Sequence, residues 1–175
     1  MKAQFLLVPA TALVAVAAPV YAKVYLSIEQ AQQLMFPGAT LIQQPLTLTA
    51  GQVHAIEKAS HTDVLSRQLR LWKVSTGGWF IIDQVVGKHA FIPIALGLDG
   101  TGAVKSIEIL EYREAFGSEV RNPKWLAQFD GKRNGATLTL TRDIQNISGA
   151  TLSSKHITDG VRRLLATYAL AIAPH

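Results

Sequence analysis

Between Arg67 and Tyr112 the chain carries four alternating apolar runs separated by glycine-containing turns, and this pattern restricts the fold more than any other feature. Arg67–Ser75 alternates, Thr76-Gly77-Gly78 turns, and Trp79–Val86 returns. Ala90–Leu98 then meets Asp99-Gly100-Thr101-Gly102, and Val104–Tyr112 runs back with Ile107 and Ile109 on one face. Period-two alternation broken by short Gly turns is the signature of antiparallel hairpins. Helical patterns flank this block. Ser27-Ile28-Glu29-Gln30 and Thr49-Ala50-Gly51-Gln52 are capping boxes, each hydroxyl taking an orphan amide while the Gln reaches back. The first opens a helix bearing Ile28, Ala31, Leu34 and Met35, stopped by Pro37-Gly38; the second bears Val53 and Ile56 and ends near His61. Leu138 and Leu140 in Thr137–Thr141 predict one more strand, at an edge. Ile157, Val161, Leu164, Leu165, Tyr168 and Ile172 form a single stripe, predicting a terminal helix from Lys155 to Ala171. The expected class is α+β: a twisted antiparallel sheet with flanking helices and a C-terminal helix.

At 175 residues, with no internal repeat or long linker, the chain suits one core with a short appendage. It has no cysteine, which excludes disulfides, iron–sulfur clusters, thiolate zinc sites, a Cys nucleophile and C-x-x-C-H haem attachment. Redox chemistry would have to come from a bound group. The first 22 residues read as a secretory signal peptide: Met1-Lys2, an uncharged run through Phe5–Ala18, and Val20-Tyr21-Ala22 as the cleavage site. The alternative is an uncleaved anchor, since Phe5 to Ala22 spans 18 uncharged residues. Either way the expected location is outside the cytoplasm, in a bacterial periplasm. Loss of Lys2 lowers the formal charge from +5 to +4. Such a balance suits anionic cofactor phosphate, acidic partners or a membrane surface, with no nucleic acid expected. Residues 23–86 hold the early helices and first hairpin with an open role, and residues 87–170 form the second part.

The chemically informative stretch is Asp143 to Ser154, a strand-to-helix turn of small and hydroxylic residues. Gly149 permits a sharp turn or close approach to a ligand. Thr151, Ser153 and Ser154 put hydroxyls beside the free amides of a helix start, which favours a phosphate, with Lys155 and His156 adding charge. By composition alone such a turn is an ordinary helix start, and most bind nothing.

Ser148-Gly149-Ala150-Thr151-Leu152-Ser153-Ser154 resembles the S-G-A-T signature of the FMN-binding domain family. That domain occurs in subunits of Na⁺-translocating quinone reductase and Rnf-type complexes and in stand-alone periplasmic flavoproteins. The resemblance extends over about Gly87–Tyr168. Gly87-Lys88-His89 opens it; Glu114-Ala115-Phe116-Gly117 resembles the family's E-T-P-G loop near the flavin; Trp125, Gln128-Phe129 and Gly131-Lys132 resemble its W-x-x-Q-F-x-G-K stretch. Ala115 and Phe116 stand where the family has Thr and Pro, and Gln145 stands where many members carry an Asp, the nearest acid being Asp143.

The resemblance implies FMN joined by a phosphoester to the Thr151 hydroxyl, installed from FAD by a Mg²⁺-dependent flavin transferase outside the cytoplasm. Ser148, Gly149, Ala150, Leu152, Ser153, Lys88, His89, Glu114, Gly117 and Trp125 become expected cofactor contacts, Trp125 against the ring. No catalytic residue or metal ligand is expected. The implied function is a periplasmic electron-transfer flavoprotein passing electrons between a membrane quinone or cytochrome system and another carrier. Reversible or absent flavin, in a binding or sensory module, is the alternative.

Other constellations read as structural. His54, His61, His89, His156 and His175 lack metal-ligand spacing. Glu108, Glu111, Glu114 and Glu119 suit a solvated strand edge better than paired glycosidase carboxylates. Trp72 and Trp79 fall in alternating strands and belong to the core. Ser148 and Ser153 lack a nucleophile elbow. Lys155, Arg162 and Arg163 form a basic helix face, solvated or docked on an acidic redox partner.

Overall fold

The computed structural model describes residues 23–173. The expected signal segment, residues 1–22, lies outside the described residues.

The two capping boxes start the helices the sequence predicts. Ser27 and Gln30 exchange hydrogen bonds at the head of α1 (Ile28–Met35), and Thr49 and Gln52 do so at α2 (Ala50–Ser60). Strand β1 (Lys23–Val24) precedes α1, while β2 (Leu41–Gln43) and β3 (Leu46–Thr47) separate the helices. Both expected hairpins form: β4 (Gln68–Val74) with β5 (Trp79–Val86), then β6 (Phe91–Leu98) with β7 (Val104–Ile109). The order β2-β4-β5-β6-β7 is antiparallel throughout, with β3 also on β4. Leu110 breaks the last run, bonding to Pro93, so that β8 (Glu111–Tyr112) leaves the sheet and pairs with β1.

The sheet is buried on both faces, and the pleat sorts its side chains accordingly. Phe80 and Ile82 of β5 pack with Ala31, Met35 and Phe36 from α1 and its end. Ile81 and Val85 point the other way, into the larger core shared with Ile56 of α2 and Ile157, Val161 and Leu164 of the terminal helix. A short helix, α3 (Pro123–Leu126), follows the sheet, and the terminal helix, α4 (Thr151–Thr167), crosses β5 so closely that a Cβ on Gly160 would collide with Val85. A π-helical turn, Tyr168–Ile172, continues it. No helix among the described residues is long and apolar enough to cross a membrane.

Two expectations are corrected. Thr137–Thr141 is not a strand: Leu138 and Thr141 have positive φ of 42° and 70°, and only an isolated bridge joins Leu140 to Ile144. Its leucines turn into the core as a loop, with Leu138 1% exposed. The terminal helix begins at Thr151, a full turn before Lys155. Its first turn carries the apolar stripe poorly because Leu152 faces outward while Ser153 and Ser154 are buried.

Candidate functional site

Gly149, at φ +82°, turns the chain into α4 in the left-handed region that glycine adopts freely, with open space where a Cβ would stand. Ala150 is the N-cap and offers no side-chain oxygen. The Thr151, Leu152 and Ser153 amides, at the first three helical positions, have no intrahelical acceptor. They lie at the positive end of a 17-residue helix. Thr151 is exposed, and its Oγ1 accepts a hydrogen bond from Asn146 Nδ2 at 3.0 Å.

Tyr112, at the end of β8, ties this turn to the loop at 114–117. Its hydroxyl donates to the Phe116 carbonyl at 2.8 Å, leaving its oxygen to accept from Ser153 Oγ at 2.9 Å. Burial pushes the phenol pKa upward against the pull of that Ser153 bond, and the negative charges of Glu114 and Glu119 add to the rise. The hydroxyl is therefore a neutral brace. Gly117, at φ +93°, closes the loop where a Cβ would stand 2.5 Å from that hydroxyl and 3.0 Å from the Ala150 methyl. Gly117 and Ala150 are thus small because they touch.

Glu114 holds the opposite wall. Its side chain is 4% exposed. It accepts from the His89 amide at 2.7 Å, the Ala90 amide at 3.2 Å and the His89 ring, through Nδ1, at 2.8 Å. Burial alone would raise its pKa, but the His89 amide and ring, with the Ala90 amide, outweigh it and hold the carboxyl below its ordinary range. A side chain on Gly87 would collide with this carboxylate and with the Ala90 carbonyl.

Between these walls lies a cleft of about 260 Å³, bounded by Lys88, His89 and Glu114 on one side and Gly149, Ala150, Leu152 and Ser153 on the other. Ala115 and Phe116 form its rim. Beyond them a second cleft of about 300 Å³ runs along Gly117, Ser118, Glu119 and Ser148. Phe116 is 84% exposed on the ridge between the two.

Of the expected cofactor residues, Lys88, His89, Glu114, Gly149, Ala150, Leu152 and Ser153 line the first cleft and Gly117 and Ser148 the second; Thr151 lines neither, and nor does Trp125. That residue is 5% exposed, packs edge-on against Phe129, and donates from Nε1 to the Gln145 carbonyl at 2.6 Å. Gln128 accepts from the Gln145 amide at 2.8 Å and donates to the Trp125 carbonyl. Trp125 and Gln128 therefore clamp the approach to the Gly149 turn from beneath, and Trp125 lines a separate groove with Asn122 and Asn146. Asp143 accepts from Thr137 Oγ1 and the Thr139 amide, bracing the loop that replaces the expected strand. Sequence reading missed Asn146 and Tyr112; only Asn146's spacing of five residues from Thr151 hinted at contact across the turn.

The basic helix face is also corrected. Lys155 pairs with Asp159 at 2.7 Å and lines a different groove with His61 and His156. Arg162 bonds the Ser60 and Leu138 carbonyls and Asp159. Arg163 is buried against Asp83 at 2.7 Å. Neither arginine is a free docking charge. At the cleft, Lys88 is the cation without an ion-pair partner among the described residues. Among those residues no three His, Asp or Glu side chains converge as a metal site. Ser153 is bonded to Tyr112, and no His or Asp hydrogen-bonds to Ser148 or Ser153 there.

The site suits a ligand that carries a phosphate beside an apolar part. The unpaired amides and Lys88 favour a phosphate, while Phe116 and Leu152 give the cleft apolar edges. The family model described as FMN-binding domain matches residues 87–166, from the glycine beside Glu114 to the far end of α4. A search of curated proteins gives no significant match.

Proposed function

We propose that this chain, whose residues 87–166 match the FMN-binding domain model, is an electron-transfer flavoprotein working outside the cytoplasm, with FMN esterified to Thr151. The observation that supports the attachment is the exposed Thr151 hydroxyl at the first position of α4, between the cleft-lining residues Ala150 and Leu152. When bound, FMN would supply reversible electron uptake and release.

The chain's own residues do the rest. Free amides at the start of α4 oppose the charge of a phosphodiester. Gly149 keeps the backbone open there, and Asn146 orients the Thr151 hydroxyl through the bond to its oxygen. Tyr112, Glu114 and Gly117 hold the two walls at fixed separation, so that a ring seated between them meets a preorganised site. A holder of this kind needs no general base or nucleophile. Thr151 is accessible to a flavin transferase using FAD and Mg²⁺, and the exposed Phe116 ridge lies open to a membrane quinone or cytochrome system or another periplasmic carrier.

Co-expression with a flavin transferase tests the attachment. Intact mass under denaturing conditions should rise by one FMN phosphoester, and Thr151→Ala should abolish the adduct and its in-gel fluorescence. Fluorescence retained in the Ala variant refutes Thr151 as the acceptor. An unmodified wild-type mass beside an active transferase supports reversible flavin binding instead.

A further inference from the structure

The flavin site contains an ionisable pair that holding a cofactor does not require. Glu114 already satisfies the β5–β6 turn by accepting the His89 and Ala90 amides; its second oxygen is spent on the His89 ring. A carboxylate accepting at Nδ1 keeps the proton of the neutral imidazole on that nitrogen. Nε2 is left as the atom that gains or loses a proton. The His89 side chain is 67% exposed, so Nε2 exchanges with solvent, yet the ring lines the cleft opposite Gly149.

We propose that His89, positioned by Glu114, is a redox-linked proton acceptor: it takes up a proton at Nε2 when the flavin is reduced and releases it when the flavin is oxidised. The inference rests on the flavin-carrying reading above. The balance is simple. An electron delivered by the donor leaves added negative charge in the cleft, and a proton from solvent binds Nε2 to compensate. When the electron passes to the acceptor, the Nε2–H proton returns to solvent. No bond to the flavin forms or breaks.

The charges around the imidazole favour this role. Glu114, from the loop after β8, is fixed and anionic, and it supports the imidazolium. Lys88, on the same turn, is exposed and opposes it weakly through solvent. From the start of α4 only Leu152 and Ser153 line the cleft, since Lys155 turns away to Asp159. Tyr112 stands behind Ser153 as a neutral phenol.

The test uses flavinylated protein. Its reduction equilibrium should carry an additional pH dependence from proton uptake at Nε2. His89→Gln, compared at equal flavin content, should lose that dependence. Glu114→Gln should displace it to lower pH, because the imidazolium loses its partner. In the wild type, the His89 Cε1 proton resonance followed by NMR should titrate at higher pH in the reduced than in the oxidised protein. Coincident titrations in both states, or an unchanged pH dependence in His89→Gln, overturn the proposal. A colourless protein would instead refute the flavin reading, so the two failures are distinguishable.

Discussion

At the scale of single residues, two glycines of the site face different constraints. Gly149 has positive φ but open space around its missing side chain, whereas Gly117 has positive φ and crowds Tyr112 and Ala150. Gly149→Ala should therefore cost only the left-handed backbone term, about 1–2 kcal/mol. Gly117→Ala should add an overpacking term of about 1–3 kcal/mol. Urea unfolding of the two variants checks this, and equal losses would refute the contact between the loop and the helix start. Glu114 makes a separate prediction about acid. Its pKa is lower in the folded than in the unfolded chain, so its contribution is complete above the ordinary carboxylate range and disappears as pH falls through the folded value. Glu114→Gln should be less stable than wild type near neutrality. The gap should narrow as pH falls below the ordinary carboxylate range, as read from urea midpoints across pH.

At the scale of elements, α4 is held by an ion pair that its amphipathic stripe does not reveal. Arg163 reaches the Asp63 and Gln84 carbonyls as well as Asp83, joining the helix to β5 and to the segment after α2. Removing one partner of a buried pair leaves the other uncompensated, so Arg163→Ala should cost about 3–5 kcal/mol. Replacing both groups, as Arg163→Met with Asp83→Leu, should recover most of that loss. Calorimetry of the single and double variants decides; a double variant as unstable as the single would show that the pair itself is needed. The charge of Arg163 was plain in the sequence, but its direction depended on a partner 80 residues away. The capping boxes were legible because every bond they make lies within four residues of chain. Thr137–Thr141 misled for the opposite reason. Its Thr-Leu alternation satisfies a strand template, yet the Asp143 carboxylate takes the Thr139 amide and the Thr137 hydroxyl and closes the segment as a loop. Trp125 was legible as part of a motif, while its role under the turn depended on Gln145 packing over it.

At the scale of the whole molecule, the family match and the folded unit differ in extent. Residues 87–166 supply the cleft, but only β6 and β7 of the main sheet fall within them. β6 pairs along its full length with β5, from Val86↔Phe91 to Trp79↔Leu98, and α1 covers the face that carries Ala95. Met35 and Phe36 sit 3.1–3.2 Å from where a Cβ on Gly97 would stand, so the glycine lets α1 lie close against β6. Alternation showed which residues were strands, but sheet order is a long-range property, and it alone reveals that residues 23–86 complete the core. A fragment beginning at Gly87 would expose the β5-facing edge of β6 and both flanking apolar surfaces, an arrangement prone to aggregation. We expect that fragment to lack a cooperative thermal transition and to take no flavin from the transferase, even though it retains Thr151 and the entire S-G-A-T turn. Circular dichroism melting and denaturing mass spectrometry read the two outcomes independently. A soluble, cooperatively melting fragment that becomes flavinylated would show that the first half serves a partner, while its failure on both counts would make the β4–β5 hairpin part of the flavin site's foundation.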